Sequence, residues 1–526
     1  MWLILSVIGL IGLYSLGRYW SHPSTTLPLP PGPPPLPIAG NVRDLPSPDS
    51  LDWLHWLKHK NMYGPISTVS AFGQRLIILN DVQFAVELLN KKSSVHSDRP
   101  DMPFAALAGW GDGSAILRYG KRVHAYRRNM YREIGTKAGV ARFQHTQDIE
   151  VGRFLLRMLD APQRLTKHAR KLAGAVILKI TYGYSVDQDA DDPLVDIADK
   201  ALVNFSIAVR PGTWLVDLAP ILRHIPSWFP GAGFQRTARI FRKQTEALSD
   251  VPFAFVKQQM QRSVFEPSYV SNLLRDNPVT PGSQEETTIR WSAASLYGGG
   301  ADTTVSTVTS FFLAITLFPD VQKRAQDEID SKIGRARLPM VDDREHLPYI
   351  DAVVKEALRW HPVLPMGLPH RSMADDTCNG YLIPKNSVLL PNIWAFCHDP
   401  CEYKDPLIFN PERFLGATPE RDPHSLVFGF GRRICPGRVL ADRTIFLTIA
   451  QSLAAFAVGT VVLDGDGDRG EEVKPTFLPG VISHPAPFDL RLKLRDPNYE
   501  EMIRSVENKH PGERSHAEIL RGVAKE

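Results

Sequence analysis

Cysteine is scarce in this sequence. Its 526 residues include four cysteines, which are Cys378, Cys397, Cys401 and Cys435. No two of them form a C-x-x-C pair, and four are too few to staple so long a chain, which excludes a disulfide-built secreted scaffold. The cysteines are therefore expected to be free thiols in a reducing compartment.

An excess of charge of one sign is missing as well. The 61 Lys and Arg residues nearly balance the 57 Asp and Glu residues, and the net charge is +4. Nucleic-acid binding usually leaves a strongly basic footprint, so no nucleic-acid partner is predicted. Residues 438–526 contain no glycine-rich nucleotide fingerprint, which excludes a flavin or nicotinamide domain in that part of the chain.

A long uncharged run occurs at the N-terminus, where residues 2–17 read WLILSVIGLIGLYSLG. With the next three residues it gives about 20 residues, or about 30 Å of helix, which is enough to cross a bilayer. We predict a transmembrane anchor in residues 1–20, with a cleaved signal peptide as the alternative. Positive charge follows this run, so the positive-inside rule places the main body in the cytoplasm.

The rest of the chain reads as one large body. Proline-rich residues 21–41 predict a stiff hinge, and ISTVSAFGQRLIILN predicts a β-hairpin. From about Asp81 to Trp360 helical periodicity dominates without an internal repeat. The predicted fold class is mainly α (α+β): a single helical domain with small β-sheets over residues 42–495, followed by a charged surface tail over residues 496–526.

The stretch SLYGGGADTT places three glycines, residues 298–300, inside a long apolar helix pattern. Each glycine costs about 1 kcal/mol relative to alanine in a helix interior. Asp302 and Thr303 follow as polar groups in a helix suited to burial, and a buried carboxylate needs a partner or a task. The pattern indicates a helix adapted to a proton-handling pair, and a simple packing kink is the alternative.

Two further motifs carry charges of opposite sign. In KEALRWHP, Glu356 and Arg359 lie three residues apart on one helix face, where they can form an ion pair. By itself this spacing is common on exposed helices. FNPERF adds Arg413, and a second arginine returning to the same glutamate would make a buried network.

The most constrained stretch is FGFGRRICPG, residues 428–437. The glycines, Gly431 among them, allow backbone to pass close to a large flat partner, and Phe428 precedes them. Cys435 would meet that partner's centre and Arg433 its negatively charged edge. A thiolate beside arginines and backbone amides is expected to have a lowered pKa and to bind metal strongly. Zinc lacks a second ligand pair at finger-like spacing, so one protein ligand favours haem.

In this order the motifs resemble those of the cytochrome P450 superfamily, the haem-thiolate monooxygenases, and LPLPPGPPPLPIAGN and GLPHR resemble its microsomal, fungal-type branch. The resemblance implies haem b with Cys435 as the axial ligand of the iron. It implies that Asp302 and Thr303 are the catalytic acid–alcohol pair, in which the alcohol holds a water and the acid connects that water to bulk protons. Gly299 and Gly300 would make room for dioxygen.

The resemblance also assigns the remaining site residues. Glu356, Arg359 and Arg413 would form a structural network that retains the haem. The haem propionates would meet Arg127, His370 and Arg433, with Phe428 and Gly431 also in the cofactor site. The family's usual tryptophan four residues before Arg127 is Val123 here, which weakens one propionate contact, and His124 beside it is a candidate substitute.

Electrons would reach the haem from NADPH through a separate membrane-bound NADPH-cytochrome reductase, with a cytochrome b-type donor as a possible second source. The basic residues of YGKRVHAYRRNMYR are either a docking patch for that donor or a solvated helix face: Lys121, Arg122, Arg128 and Arg132. The implied location is the endoplasmic reticulum membrane, with a single pass and a cytoplasmic catalytic domain.

The substrate pocket would be lined by mostly apolar residues, namely residues 102–110, 204–214, 363–369 and 479–483, with Tyr297 and Ala301. This lining predicts a hydrophobic substrate, such as a terpenoid or polyketide, in fungal secondary metabolism. Hydroxylation of fatty acids or xenobiotics, a haem-thiolate isomerase or dehydratase, and a non-catalytic haem sensor are the alternatives.

Overall fold

The structure is a computed structural model that describes residues 27–47, 49–276, 279–459, 475–511 and 514–523. The predicted anchor in residues 1–20 lies outside the described residues. Among the helices that are described, none is by itself long and apolar enough for a membrane span. By length and composition alone, residues Gln284–Leu317 and Pro319–Lys332 pass that test together, and they are bent by 105° at the break between them.

The described chain is mainly helical, as the periodicity predicts. Its α-helices are α1 (Asp52–Tyr63), α2 (Val82–Ala85), α3 (Pro103–Leu107), α4 (Lys121–Ile134), α5 (Lys137–Ala141), α6 (Gln144–Asp160), α7 (Leu165–Tyr182), α8 (Pro193–Ala208), α9 (Leu215–Leu218), α10 (Gly233–Gln261), α11 (Tyr269–Asp276), α12 (Gln284–Leu317), α13 (Pro319–Lys332), α14 (Pro348–Trp360), α15 (Ile393–Cys397), α16 (His424–Val427), α17 (Arg438–Ala455), α18 (Pro497–Lys509) and α19 (Ala517–Val523). A π-helical turn covers Val86–Lys91, and short 3-10 turns cover Val42–Asp44, Trp110–Asp112, Pro162–Arg164, Pro220–His224, Val341–His346, Pro411–Phe414 and Gly431–Arg433.

Three small sheets complete the described fold. The strands are β1 (Ile66–Ala71), β2 (Gln74–Leu79), β3 (His370–Arg371), β4 (Asp376–Cys378), β5 (Tyr381–Ile383), β6 (Val388–Pro391), β7 (Phe456–Gly459) and β8 (Arg491–Leu494). One sheet has the order β1-β2-β6-β3, and β4-β5 and β7-β8 form two-stranded sheets. The predicted hairpin is confirmed: Ala71 pairs with Gln74, and the turn residues Phe72 and Gly73 have φ of 46° and 81°, as a tight two-residue hairpin turn requires.

Helix α12 is the centre of the core. It begins at the N-cap Ser283, whose hydroxyl accepts a hydrogen bond from the amide of Glu286, and it ends before Pro319. Its second half is buried on nearly all sides, which is typical of a helix enclosed by others. It packs against α4, α7, α8, α14 and α17. The helix therefore carries the GGGADTT motif through the middle of the molecule.

The described part of the proline-rich segment packs against the domain. The amide of Thr68 in β1 donates to the carbonyl of Pro31 at 2.8 Å, and the amide of Leu382 in β5 donates to that of Pro28 at 2.8 Å. Proline has no amide hydrogen to donate, but its carbonyl can accept a hydrogen bond, and here amides of neighbouring strands donate to these carbonyls. The described end of the predicted stiff hinge over residues 21–41 is therefore held against the sheets at Pro28 and Pro31.

The charged C-terminal segment is folded as well. Asp496 caps α18, and Tyr499 and Ile503, four residues apart, are both buried against the domain, where α18 packs on α6. Ala517 and Leu520 of α19 are also buried. The described residues from 496 onward are thus a packed helical extension and not the surface appendage predicted from their charge, because a few apolar residues share one face.

Candidate functional site

The cysteine loop lies between the Gly431–Arg433 turn and the start of α17. The amide of Cys435 donates to the carbonyl of Phe428 at 2.8 Å, which closes the loop on itself. Arg127 of α4 donates from Nη2 to the carbonyl of Ile434 at 2.8 Å. The thiol is therefore presented by a loop that is tied both to its own start and to a neighbouring helix.

The glycines of this loop serve two purposes. The amide of Gly431 donates to Oδ1 of Asn90 at 2.9 Å, and a Cβ at Gly431 would collide with the carbonyl of Leu89 in the π-helical turn. Gly431, with φ of 51°, is therefore explained by close packing within the chain. The prediction of an open approach for a flat partner fits Gly429 instead, because a Cβ there would come no closer than 4.0 Å to its nearest neighbour.

The protonation of Cys435 differs from the expectation. Burial raises the pKa of the Cys435 thiol, and the amide of Gly437 and the charges of Arg127 and Arg438 oppose this effect without reversing it. The predicted lowering of the pKa is therefore wrong for the metal-free chain. A metal that binds the sulfur must displace its proton, so metal binding and deprotonation are coupled here.

A buried arginine that the motifs did not reveal lies beside this loop. Arg99 is nearly inaccessible, and it donates from Nε to the carbonyl of Ala115 at 2.8 Å and from Nη1 to that of Pro369 at 2.7 Å. Burial lowers the pKa of Arg99 well below its usual value, and the positive charge of Arg433 lowers it further. The sequence around it, SDRP, has no periodic pattern that would single it out.

The three predicted propionate contacts lie in the same region as Arg99. Arg433 donates to the carbonyls of Ser97, Ser114 and Leu117 at 2.8, 3.3 and 2.7 Å, so part of its guanidinium holds the loop to the chain before α4. Burial, assisted by Arg127, lowers the pKa of Arg433 to about 10. His370 in β3 is buried, and its Nδ1 lies 2.7 Å from the carbonyl of His96, which leaves Nε2 for another partner.

This donor set fits the two carboxylates of haem. The charges of Arg433 and Arg127 lower the pKa of Arg99, and that of Arg127 lowers the pKa of Arg433. Like charges are costly to bury together unless an anion joins them. Asp98 is the nearby carboxylate, and it already contacts Arg118 at 2.8 Å. A dianionic edge beside Cys435 would offset the remaining positive charge.

His124 takes a different position. It lies on the exposed side of α4, and its ring contacts that of Tyr119 edge to face with centroids 5.0 Å apart. Tyr119 accepts a hydrogen bond from Nη1 of Arg432 at 2.8 Å. Val123, which replaces the family's tryptophan, is buried and has no hydrogen-bonding side chain. The structure thus offers Arg99 as a buried cation beside Arg127 and Arg433 of the expected propionate set.

On the other side of the core, α12 continues without a break through residues 298–300. Thr303 donates from Oγ1 to the carbonyl of Gly299 at 2.7 Å, so its oxygen keeps lone pairs free to accept. A Cβ at Gly299 would meet open space, whereas one at Gly300 would meet Ile177 of α7 at 2.7 Å. Gly299 therefore fits the prediction of space beside Thr303, and Gly300 is explained by packing against α7.

Asp302 contacts a residue that the motifs did not include. Its Oδ2 lies 3.0 Å from Nε2 of His484, and 13% of the Asp302 side chain and 20% of the His484 side chain are exposed. His484 belongs to the segment after β7, far away in sequence. Because the contact joins positions 182 residues apart, no local pattern could have revealed it.

The three residues of the predicted structural network meet in the core. Arg359 donates from Nε and Nη2 to the two oxygens of Glu356 at 2.7 and 2.8 Å, and both side chains are fully buried. Arg413 approaches the same carboxylate from the Pro411–Phe414 turn, with Nε 3.2 Å from Oε1. Burial alone would lower the pKa of Arg359, but the contact with Glu356 outweighs it and raises this pKa.

The cationic side chains of this network also bind backbone. Arg359 donates from Nη1 to the carbonyls of Cys397 and Pro406, each at 2.8 Å. The amide of Asn410 donates to Oε1 of Glu356 at 2.7 Å. Arg413 donates to Oε2 of Glu420 at 2.6 Å. The network therefore ties the meandering chain between α15 and α16 to α14.

A charged histidine lies next to the cysteine loop. His424 is held between Asp422 and Asp442, with its Nδ1 and Nε2 2.7 and 2.9 Å from their oxygens, and its ring lies 5.7 Å from that of Phe428. Burial opposes the charged form, but the two carboxylates outweigh it and raise the pKa of His424 to about 9. Arg344 completes the cluster through Asp442 at 2.5 Å. His424 is thus an imidazolium at neutral pH.

The segments expected around the substrate contact one another. Phe104 in α3 stacks on Trp214 with centroids 3.5 Å apart, and its amide donates to Oδ1 of Asp217 at 2.8 Å. At the other end of α3, Arg242 donates from Nε to the carbonyl of Leu107 at 2.9 Å. Side chains from α9 and α10 therefore cap both ends of α3 by hydrogen bonds to its terminal backbone groups.

Tyr297 differs from the prediction of a pocket-lining residue. It is fully buried, its hydroxyl donates to the carbonyl of Leu194, and its ring contacts Tyr182 edge to face at 5.8 Å. Its side chain belongs to the packed interface of α12 with α7 and α8. Ala301, by contrast, lines a small cavity together with Asp302.

Replacing Asp217 with asparagine is expected to stabilise the fold more at pH 8 than at pH 5. Burial raises the pKa of Asp217 to about 7, although the amide of Phe104 opposes this shift. The folded chain therefore binds this proton more tightly than the unfolded chain, and stability is lost as the pH rises from about 4 to about 7. The measurement is the difference in thermal unfolding midpoint between the Asp217→Asn variant and the parent across this range; a constant difference would contradict the prediction.

Comparison with known proteins places these features in one family. The profile of the Cytochrome P450 family matches residues 30–490. Cytochrome P450 monooxygenase ppsD of Aspergillus oryzae is 49% identical over 497 residues, covering 94% of each chain. Cytochrome P450 monooxygenase claR of Ampulloclitocybe clavipes is 46% identical over 96% of this chain and 93% of the relative. O-methylsterigmatocystin oxidoreductase of Aspergillus flavus is 42% identical over 99% of this chain and 98% of the relative.

Proposed function

This chain belongs to the cytochrome P450 family and is a haem-dependent monooxygenase, and on that premise we propose that it oxidises a hydrophobic small molecule, terpenoid or polyketide-like, in fungal secondary metabolism. The observation that carries the haem assignment is the surplus of positive charge beside the Cys435 loop. It comes from the buried Arg99 and the half-buried Arg127 and Arg433.

Each residue of the site has a defined task in this function. When bound, haem supplies the activation of dioxygen, and Cys435 would be its protein ligand. Arg99, Arg433 and Nε2 of His370 would hold its carboxylates. The Thr303 hydroxyl donates to the carbonyl of Gly299, so its Oγ1 would accept a hydrogen bond from a water in the space beside Gly299. Proton delivery to that water then depends on the carboxylate of Asp302.

The substrate class rests on the apolar and aromatic character of the segments that cover the site. Phe104 and Trp214 stack face to face, and Trp110 contacts Phe205 edge to face with centroids 4.8 Å apart. Flat apolar molecules suit such surfaces. The relative from Aspergillus flavus is named for the oxidation of O-methylsterigmatocystin, which supports a secondary metabolite as the substrate. Fatty-acid or xenobiotic hydroxylation, or haem-thiolate isomerisation or dehydration, is the competing activity.

Co-expression with an NADPH-cytochrome reductase in a fungal host, followed by metabolite profiling, tests this function. We expect new products heavier by one oxygen atom, formed from apolar precursors and absent when the Cys435→Ala variant replaces the parent. Isotope-labelled dioxygen should label those products. Products isomeric with their precursors, formed without dioxygen consumption, would instead support the isomerase alternative.

Electron delivery is proposed to come from a membrane-bound NADPH-cytochrome reductase, with a cytochrome b-type protein as a second donor. Of the basic residues on α4, Arg122 is paired with Asp112 at 2.8 Å and Arg132 with Glu133 at 3.2 Å. Lys121 and Arg128 are exposed on the same helix. These two cations support docking of an acidic partner near the helix that supplies Arg127.

We also propose attachment to the endoplasmic reticulum membrane through residues 1–20, with the described domain in the cytoplasm. Two exposed apolar groups support an additional contact with the bilayer. Ile221 and Trp228 are 74% and 79% exposed in the segment between α9 and α10, and Ile38 is 76% exposed in the segment that follows the N-terminus. Arg210, which precedes α9, is paired with Asp52 of α1 at 2.6 Å, so the chain leading into α9 is held against the N-terminal part of the described domain.

Replacing Trp228 with phenylalanine is expected to reduce the quenching of tryptophan fluorescence by brominated lipids when the full chain is reconstituted into vesicles. The reason is that an exposed indole at a membrane contact lies within reach of the bromine atoms. Trp53→Phe is the matched control, because Trp53 is buried in α1. Equal quenching in the parent and the Trp228 variant would place Trp228 in water.

A further inference from the structure

The contact between Asp302 and His484 has no part in the motifs of the family, yet it joins the predicted distal acid to a separate segment of chain. Nε2 of His484 lies 3.0 Å from Oδ2 of Asp302. Both side chains are mostly buried, so the contact is shielded from the screening that weakens exposed ion pairs. Such a contact restricts where the Asp302 carboxylate can point.

His484 is itself held firmly. The amide of Leu478 donates to the carbonyl of His484, and the amide of Ala486 donates to that of Thr476, both at 2.8 Å, which folds residues 476–486 into a tight hairpin. The preceding residue, Ser483, is anchored to α12 because Ser306 donates to its carbonyl at 2.6 Å. The backbone at His484 is therefore held in a fixed position relative to α12, the helix that carries Asp302.

Ser483 has a second anchor on the other side. Its amide donates to the carbonyl of Val363 at 2.9 Å, and its hydroxyl lies 2.9 Å from Nε2 of His361. Burial, with a further contribution from the charge of His484, lowers the pKa of His361 to about 3. His361 therefore stays neutral in the working range and acts here as a structural hydrogen-bonding group.

Asp302 also lines a small cavity. Its volume is about 10 Å³, which is the space for about one water, and Asp302, Ala301, Asp199 and Arg170 are among its lining residues. Arg170 of α7 and Asp199 of α8 form an ion pair at 3.0 Å, and each side chain is about one third exposed. The cavity therefore joins Asp302 to an ion pair at the surface.

We propose that Asp302 receives its protons through this cavity, with Asp199 as the outer carboxylic acid and His484 as the positioning residue that keeps the Asp302 carboxylate at the inner end. This proposal rests on the proposed function. In each transfer, protonated Asp199 gives a proton to the water in the cavity while that water gives one of its own to Asp302. Asp199 ends as a carboxylate, is reprotonated from bulk solvent, and no other bond changes.

The electrostatics support this assignment. Burial raises the pKa of Asp199; Arg170 lowers it, and the negative charge of Asp302 raises it again, with a net shift upward. A carboxyl group whose pKa lies nearer to neutrality is protonated more often, so it is a better proton source. Asp196 also raises the pKa of Asp199, and His484 lowers it. On its other side His484 faces His361, which is neutral.

The first test measures NADPH-supported dioxygen consumption by the full-length haem-loaded protein with a reductase, in water and in deuterium oxide. His484→Ala and Asp199→Asn are expected to slow consumption about ten-fold and to raise the solvent isotope effect, because proton delivery becomes limiting. His484→Gln should retain most activity, since an amide N–H can still donate to Asp302. Asp189→Asn is the matched control, because Asp189 is exposed in the segment before α8 and does not line the cavity.

The second test examines the contact without turnover. If His484 holds Asp302, the unfolding midpoints of His484→Ala, Asp302→Asn and the double variant should be non-additive. Additive midpoints, or unchanged dioxygen consumption and isotope effect in His484→Ala and Asp199→Asn, would overturn the proposal. Equal losses in His484→Gln and His484→Ala would make the role purely structural and would also overturn it. A parent protein that lacks the thiolate-type carbon monoxide spectrum would instead refute the proposed function.

Discussion

Replacing Cys435 with alanine is expected to abolish the thiolate-type carbon monoxide spectrum and all NADPH-supported oxidation. The sulfur is the one ligand that this loop offers, because its other side chains near the centre are those of Ile434 and Pro436, which cannot coordinate metal. The surrounding loop does not depend on the thiol for its shape: the amide of Cys435 and the contact of Arg127 with Ile434 both use backbone atoms. The variant should therefore fold.

The measurement compares the reduced, carbon monoxide-treated spectra of the parent and the variant after equal haem supplementation. Cys401→Ala is the matched control, because Cys401 is exposed and lies outside the loop, so the same substitution should leave the spectrum unchanged. Circular dichroism should show that the Cys435 variant keeps the helical content of the parent. A Cys435→Ala protein that keeps the thiolate-type band would remove the basis of the proposed function.

Features that depend on residues close together in the sequence could be predicted from local patterns. The two-residue turn at Phe72 and Gly73 requires positive φ, and its hairpin forms as predicted. Glu356 and Arg359 lie on one turn of helix, so helix geometry alone brings them together. Arg413 joins them across 57 residues, which the family's motif implied but the spacing could not.

The residues that the sequence did not reveal depend on contacts between distant segments. Arg99 can be buried because it donates hydrogen bonds to the carbonyls of Ala115 and Pro369, which lie far from it in the sequence. The reason for Gly300 is Ile177 on another helix, and the reason for Gly431 is the carbonyl of Leu89. The reason for a glycine lies in the atoms that pack against it in the folded chain. A run of glycines in the sequence does not reveal those atoms.

The charged C-terminal segment was predicted from its composition to lie on the surface, yet it packs against the domain. Its composition is typical of a solvated tail, because composition averages over the faces of a helix. Tyr499 and Ile503 nevertheless share one face and supply enough apolar surface to dock α18 on α6. The packing of α18 on α6 depends on these two apolar residues, and the average composition of the segment does not show them.

Replacing Glu356 with glutamine is expected to lower the free energy of unfolding by roughly 3 to 5 kcal/mol, the usual cost of removing one partner from a buried ion pair. The amide can still accept one hydrogen bond, but it leaves the charges of Arg359 and Arg413 without their shared carboxylate in a fully buried site. The backbone carbonyls of Cys397 and Pro406 still accept hydrogen bonds from Arg359 in the variant. These hydrogen bonds limit the loss of unfolding free energy to the stated range.

Denaturant unfolding of the haem-loaded parent and variant measures this loss, and Asp327→Asn in α13 is the matched control. Asp327 forms a 2.6 Å contact with Lys323, yet both side chains are largely exposed, so its removal should cost less than about 0.5 kcal/mol. Glu420→Gln should lie between the two, because Glu420 is partly exposed and binds Arg413 alone within the network. Similar losses for Glu356 and Asp327 would mean that burial does not amplify the network, and the stabilising role of Glu356 would then be wrong.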